Sequence, residues 1–384
     1  MRNWAEANIV KISIASVLAS SMFFLPIVGL YLESRGIDYE MTFKLVSLYS
    51  FAIVVFEYPT GVIGDYFSHK ISVFIGYLVI GAAFLMLALP GSLLYYAVSL
   101  VVLALGMSLV TGSITALLFK NSNNFRRDSS NVRAIGLIWG VIAGMIGTYL
   151  ADFDLAWPAF VSSFVFFVAA IMIFLVRETP EDDDYDEGNL FSKAREGLQF
   201  VRKVENQAIR KLLLLGFVLG SFFISMKWLY SPVLDVLDIS VRSWGLIISA
   251  FSLSKALGTW LYGKFGDIGF GWLILFFGIM LAGVVQFNFP LVSVIMFTGA
   301  HLIRGYIQTQ SDFHIARLAP GENKASIISL KSFLVRLGAA VYLAANGFLL
   351  DSFSLSFVVF VSAVFFTVAS LIVVANANLK AESC

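Results

Sequence analysis

The stretch Glu57-Tyr58-Pro59-Thr60-Gly61-Val62-Ile63-Gly64-Asp65-Tyr66-Phe67-Ser68-His69-Lys70 sets the architecture expected of the whole chain. Its core, Gly61-Val62-Ile63-Gly64-Asp65, returns as Gly263-Lys264-Phe265-Gly266-Asp267. Each copy ends a long apolar run, 42–64 in the first case and 242–263 in the second. A weaker echo pairs Phe23-Phe24 and Leu30-Tyr31 with Phe222-Phe223 and Leu229-Tyr230. A G-x-x-G-D repeated in two apolar halves is how a duplicated membrane protein reads.

Working outward, twelve apolar runs follow one another: 12–32, 42–64, 71–89, 93–118, 133–151, 155–176, 211–233, 242–263, 271–289, 291–316, 325–349 and 355–375. At about 20 residues per membrane span, 384 residues hold that number with short connections. Composition agrees. Apolar types make up 59% of the chain, charged types 13%, and mean hydropathy is +0.86. Soluble domains carry roughly a quarter charged residues, so this chain cannot cover a water-facing surface. That excludes a soluble enzyme, a nucleic-acid binder and a disordered regulator. A net charge of +1 fits no polyanionic partner. Cys384 is the lone cysteine, and the only histidines are His69, His301 and His314, so no metal site or cofactor is expected. No H-E-x-x-H, G-x-S-x-G or Walker sequence is present, which speaks against a membrane hydrolase or an ATP-driven pump.

The first run follows Arg2 and Lys11 as a signal peptide would. It is too long for an h-region, and a second span follows at once, so it is read as retained. Most of the 26 Lys and Arg lie in the tails or the even-numbered connections, whereas the odd connections hold only Arg35, Lys44 and Arg242. The positive-inside rule then places both termini in the cytoplasm, as an even span count requires. The absence of an N-x-S/T sequon fits a bacterial inner membrane. The one long connection, 177–210, opens with Glu181, Asp182, Asp183, Asp184, Asp186 and Glu187. In it Phe191, Ala194, Leu198 and Val201 then recur at helical spacing, as in a segment lying on the membrane face.

On these residues the chain resembles the major facilitator superfamily over essentially its whole length. The stretch from Gly61 to Lys70 is similar to the family's loop 2–3 signature, G-x-L-A-D-R-x-G-R-K. The preceding Glu57-Tyr58-Pro59-Thr60-Gly61 and the segment Tyr31-Leu32-Glu33-Ser34-Arg35-Gly36 resemble a bacterial efflux-like branch. Leu302-Ile303-Arg304-Gly305 and the segment from Ser329 to Leu337 match its habits too. The resemblance implies an all-α membrane protein of twelve transmembrane helices in two pseudo-symmetric six-helix bundles. These are 1–176 and 211–384, joined by a cytoplasmic linker over 177–210. It also implies a secondary transporter working by alternating access, export slightly favoured. Gly61, Asp65 and Lys70 would act at the junction of the halves, with Asp65 favouring the outward-open state. Three signature positions depart: Tyr66 for Arg, Ser68 for the second Gly and His69 for the next Arg. The family's charge relay then rests on Lys70.

Ionisable groups inside a bilayer are costly and mark sites. Five basic residues qualify, all in the second half: Lys227, Lys255, Arg304, Lys331 and Arg336. With Arg317 and Lys324 as boundaries, Arg304 and Arg336 lie about 18–20 Å deep, near mid-membrane. Span 10 presents His301, Arg304, Gln308 and Ser311 at helical spacing. Neutral polar faces run through Ser108, Thr111 and Thr115, through Ser13, Ser16 and Ser20, and through Ser221, Ser225 and Trp228. A cavity lined by Lys255, Arg304, His301, Gln308, Arg336, Ser108, Thr111 and Trp228 would take a small-molecule substrate, anionic or zwitterionic. Arg304 and Arg336 could equally bond helix carbonyls, and His301 could be a neutral ring bonded within the bundle. Glu57, the one acid well inside a span, is expected to pair with Lys331 at the seam of the halves, the alternatives being that it braces its own half or carries a coupling proton. A stripe of Gly136, Gly140, Gly144 and Gly147 is explained by close helix packing. The remaining alternatives are a specific organic-anion carrier and a transporter-like receptor that moves nothing.

Overall fold

A computed structural model describes residues 2–21, 23–66, 68–177, 207–286, 289–318 and 324–375. Among these residues every regular element is helical. The first half comprises α1 (Arg2–Ala19), a 3-10 turn at Leu25–Ile27, α2 (Val28–Ser34), α3 (Tyr39–Tyr66), α4 (His69–Ala88), α5 (Leu93–Val110), α6 (Ser113–Asn121), α7 (Phe125–Ala151) and α8 (Trp157–Phe174). The second comprises α9 (Gln207–Ser225), a 3-10 turn at Met226–Leu229, α10 (Tyr230–Val236), α11 (Val241–Phe265), α12 (Phe270–Gly283), α13 (Pro290–Leu318), α14 (Lys324–Leu350) and α15 (Leu355–Ala375).

Each of the twelve apolar runs coincides with one helix or one broken pair. Backbone polar groups cannot be left open in hydrocarbon, so apolar runs of this length become helices. Among the described residues nine helical stretches are long and apolar enough to cross a bilayer. Ala7–Ala19, Leu25–Ser34 and Phe270–Gly283 are shorter, and α11 is long but carries Arg242, Lys255 and Lys264. Spans 1, 4 and 7 are the broken ones. In span 4 the break is Gly112, whose φ of 87° only glycine adopts at low cost. The 3-10 turns of spans 1 and 7 fall in the two segments that echo each other in sequence.

The chain divides into two compact units, Met1–Tyr185 with Ser240–Ile248, and Asp186–Ile239 with Ser249–Cys384. The sequence division had assigned Ser240–Ile248 to the second half. In the structure Gly245 meets α7, where a Cβ would stand 2.3 Å from Thr148 Oγ1. Arg242 lies 5.4 Å over the Tyr149 ring. The acidic run and the amphipathic segment expected within 177–210 lie outside the described residues.

In the first unit the glycine stripe of α7 is a packing surface. A Cβ on Gly147 would stand 2.1 Å from the Phe23 carbonyl oxygen, and one on Gly136 would stand 2.7 Å from Ser20 Oγ. The break of span 1 thus lies directly on α7. Tyr31 anchors α2 by donating to the Leu87 carbonyl at 2.6 Å. Ser68, which stands where the signature has its second glycine, caps α4 by accepting from the Lys70 backbone N–H at 3.1 Å.

Candidate functional site

The second unit contains a close helix crossing. A Cβ on Gly258 of α11 would stand 1.9 Å from the Leu302 carbonyl oxygen, and one on Gly305 of α13 would stand 2.1 Å from that of Lys255. Two glycines facing each other therefore let the backbones touch, as small residues do in membrane helices. Ser254 donates to the Thr298 carbonyl at 2.9 Å, and Thr309 to Thr259 Oγ1 at 3.1 Å, along the same seam. This crossing brings Lys255 beside Arg304.

Span 7 reaches the same place from the other side. Its last α9 turn supplies Phe223, whose ring centroid lies 5.5 Å from the Arg304 guanidinium carbon. The break supplies Lys227, whose ammonium lies 4.9 Å from the Trp228 ring. Tyr230 opens α10 and shares a 2.9 Å hydrogen bond with His301 Nε2. His301 Nδ1 lies 2.9 Å from the Phe297 carbonyl oxygen. A carbonyl can only accept, so Nδ1 carries the proton and Nε2 accepts from the tyrosine hydroxyl. His301 is 1% exposed and stacks on Phe251 with ring centroids 4.9 Å apart. It is a neutral, fully bonded ring inside the bundle, and it turns the oxygen of Tyr230 toward Arg304, with which that hydroxyl interacts.

The charge balance is one-sided. Lys227 lies within Coulombic reach of Arg304 and Arg336, and Lys255 of Arg304 and Asp312. Among the described residues no carboxylate lies within ion-pair distance of Lys227, Lys255 or Arg304. The nearby acid, Asp312, is bonded to Lys331. Within the second unit α13 and α14 are consecutive helices, and Asp312 and Lys331 sit a similar distance from the connection between them. Arg304 Nε and Gln308 Oε1, one helical turn apart, are buried without a hydrogen-bond partner.

The remaining expected residues fall elsewhere. Ser108 is buried and donates to the Ile53 carbonyl at 3.4 Å, holding α5 on α3. Thr111 is exposed and donates to Met107 O at 2.8 Å at the end of α5. Ser221 and Ser225 are buried and bonded to helix carbonyls, whereas Trp228 is half-buried beside Lys227. Lys70 lies 5.9 Å over the Phe174 ring, and Glu57 and Arg336 are half-buried. Gly61 and Asp65 belong to the last turns of α3, and their side chains are outside the described residues.

Two features had no site reading in the sequence. Tyr230 was visible only as the echo of Tyr31. The second G-x-x-G-D loop is clamped by α13: Tyr306 donates to Gly266 O at 2.7 Å, Gln310 to Ile268 O at 2.8 Å, and His314 Nε2 lies 3.1 Å from Asp267 Oδ1. The spacing of Tyr306, Gln310 and His314 along one helix face was the available signal.

A family model described as Major Facilitator Superfamily matches residues 12–308. The chain belongs to the major facilitator superfamily. Solved structures of transporters share its fold. The nucleoside transporter NupG superposes with a TM-score of 0.76 at 13% identity, covering 97% of this chain and 98% of that one. The peptide transporter POT in complex with sulfate, as a mutant, gives 0.75 at 15% identity, covering 96% and 93%. A bacterial homolog of the human lysosomal transporter Spinster, in an inward-facing and unoccupied conformation, gives 0.69 at 11% identity, covering 98% and 95%. A search of curated proteins returns no match. As a major facilitator protein the chain is a multi-pass membrane transporter and not an enzyme.

Proposed function

We propose that this major facilitator protein is a secondary transporter that moves a small anion by alternating access. Lys255, Arg304 and Lys227 contact the substrate in this reading, and Tyr230 and His301 hold Arg304 in place. The carrying observation is that three cations from spans 7, 8 and 10 converge and that, among the described residues, no acid is paired to them. Charges withdrawn from water inside a membrane protein are ordinarily paired, and for these half-buried cations the negative charge is supplied by the cargo. That structures of the same fold include a nucleoside transporter and a peptide transporter supports a small organic molecule as cargo. The efflux-like sequence features support export, and half-buried Glu57 is the proposed carrier of a coupling proton.

The test is flux in proteoliposomes with and without a pH gradient. Small organic anions should exchange and lipophilic cations should not, and Lys255→Ala should slow anion flux by tenfold or more. Strong binding of lipophilic cations with no anion binding would overturn the assignment. Anion binding without flux would identify a receptor instead.

A further inference from the structure

We infer that the site around Arg304 takes a compact dianion, a small molecule bearing two carboxylates or one phosphate monoester. This rests on the anion reading above and goes further by counting charge. Lys227, Lys255 and Arg304 come from three different spans, and both lysines lie within Coulombic reach of Arg304. Asp312 lies within Coulombic reach of Lys255, but its ion pair is with Lys331. No neighbouring neutral group replaces a second anion. Phe223 and Trp228 offer ring faces to Arg304 and Lys227, which compensate a cation only partly. His301 has both nitrogens engaged, and the Tyr230 proton is directed to His301. Arg304 Nε is buried with no acceptor, so the site has a donor that the protein itself leaves unmet.

Of Lys227, Lys255 and Arg304, a monoanion balances one and a dianion two, and Arg336, which also lies within Coulombic reach of Lys227, adds to the positive field. The second negative charge is attracted by all three cations at once, while both charges lose their water in the same event. Guanidinium and ammonium groups suit carboxylate and phosphoryl oxygens alike, so the charge count and not the head-group shape is the discriminating feature.

The experiment compares size-matched pairs on the purified full chain in nanodiscs at pH 7.5: succinate against butyrate, and methyl phosphate against methanesulfonate. A phosphomonoester has its second ionisation near about 6, so methyl phosphate is mainly a dianion there. Calorimetric titration should show at least one dianion binding tenfold or more tightly than its monoanionic match. Whichever dianion wins identifies the head group. Lys227→Gln and Lys255→Gln should each bring that ratio down toward one, and Lys227→Arg should keep it. The arginine variant separates loss of charge from loss of fold. Equal binding of monoanion and dianion would overturn the dianion assignment and leave the anion site standing. Binding of none of the four anions would overturn both.

Discussion

At the scale of single residues, two tyrosines in matching positions of the repeat have taken different work. Tyr31 donates to the Leu87 carbonyl, a helix-end group with no chemistry of its own. Tyr230 donates to His301 and turns its oxygen to Arg304. Tyr31→Phe should therefore lower thermal stability, by about 1–3 kcal/mol for the acceptor left buried and unmet, with anion affinity unchanged. Tyr230→Phe should cost a similar amount and also weaken anion binding several-fold, because Arg304 loses its orienting contact. Unfolding and titration of the two variants side by side check both statements. Gly112 gives a third residue-scale prediction. It breaks span 4 at φ 87° and ψ −57°, and a Cβ there would meet nothing within 4 Å. Space is free but conformation is not, so Gly112→Ala should destabilise by about 1–3 kcal/mol through backbone strain alone. An unchanged melting temperature would show that the break can relax.

At the scale of helices, the site is built by the crossing of α11 and α13. Its glycines meet backbone atoms rather than flexible side-chain ends. Gly305→Ala must force the helices apart and move Lys255 away from Arg304. We expect a loss of about 1–3 kcal/mol in stability, typical of overpacking, together with loss of anion binding. Gly263→Ala on the same helix α11 is the control, because its Cβ would enter open space. This crossing also shows where sequence stops being informative. The twelve helices were legible because apolar length dictates a span. Charge and count are sequence properties too, and they put Lys227, Lys255, Arg304, Lys331 and Arg336 in apolar runs of the second half. Leu302-Ile303-Arg304-Gly305 was noticed as a pattern, but nothing in it says that Gly258 lies opposite. The Asp312–Lys331 pair was missed because depth counting ranks residues along the membrane normal and not around a helix. His301 had two readings, a cavity residue and a neutral ring bonded within the bundle, and its bonds to Tyr230 and Phe297 with the stack on Phe251 match the second. Ser108, Ser221 and Ser225 were polar stripes in sequence and are interhelical or intrahelical bonds in space.

At the scale of the whole molecule, the two halves share an architecture and differ in electrostatics. The intramembrane basic residues all belong to the second half, and they divide into two kinds. Lys331 has Asp312, whereas among the described residues Lys227 has the Trp228 ring and the charges of Arg336 and Arg304 near it and no acid paired to it. Lys227 is half-buried and, among the described residues, has no acid paired to it; a cation held so is a cost the fold carries for the sake of binding, and its removal should stabilise the empty protein. Lys227→Met replaces it with an apolar chain of similar length. We expect the ligand-free variant to gain on the order of 1 kcal/mol, in line with replacement of buried charges by apolar residues. The same variant should lose most of the stabilisation that an anion confers on the wild type, since ligand binding raises stability only while affinity persists. Lys331→Met must behave differently. It strands Asp312, whose side chain is 54% exposed and so stays hydrated, and the ligand-free stability should change by less than about 1 kcal/mol. Thermal unfolding of the three proteins, each with and without saturating anion, separates the cases. A drop in ligand-free stability for Lys227→Met would mean that this lysine is held by the fold, and that the positive site is not kept open for cargo.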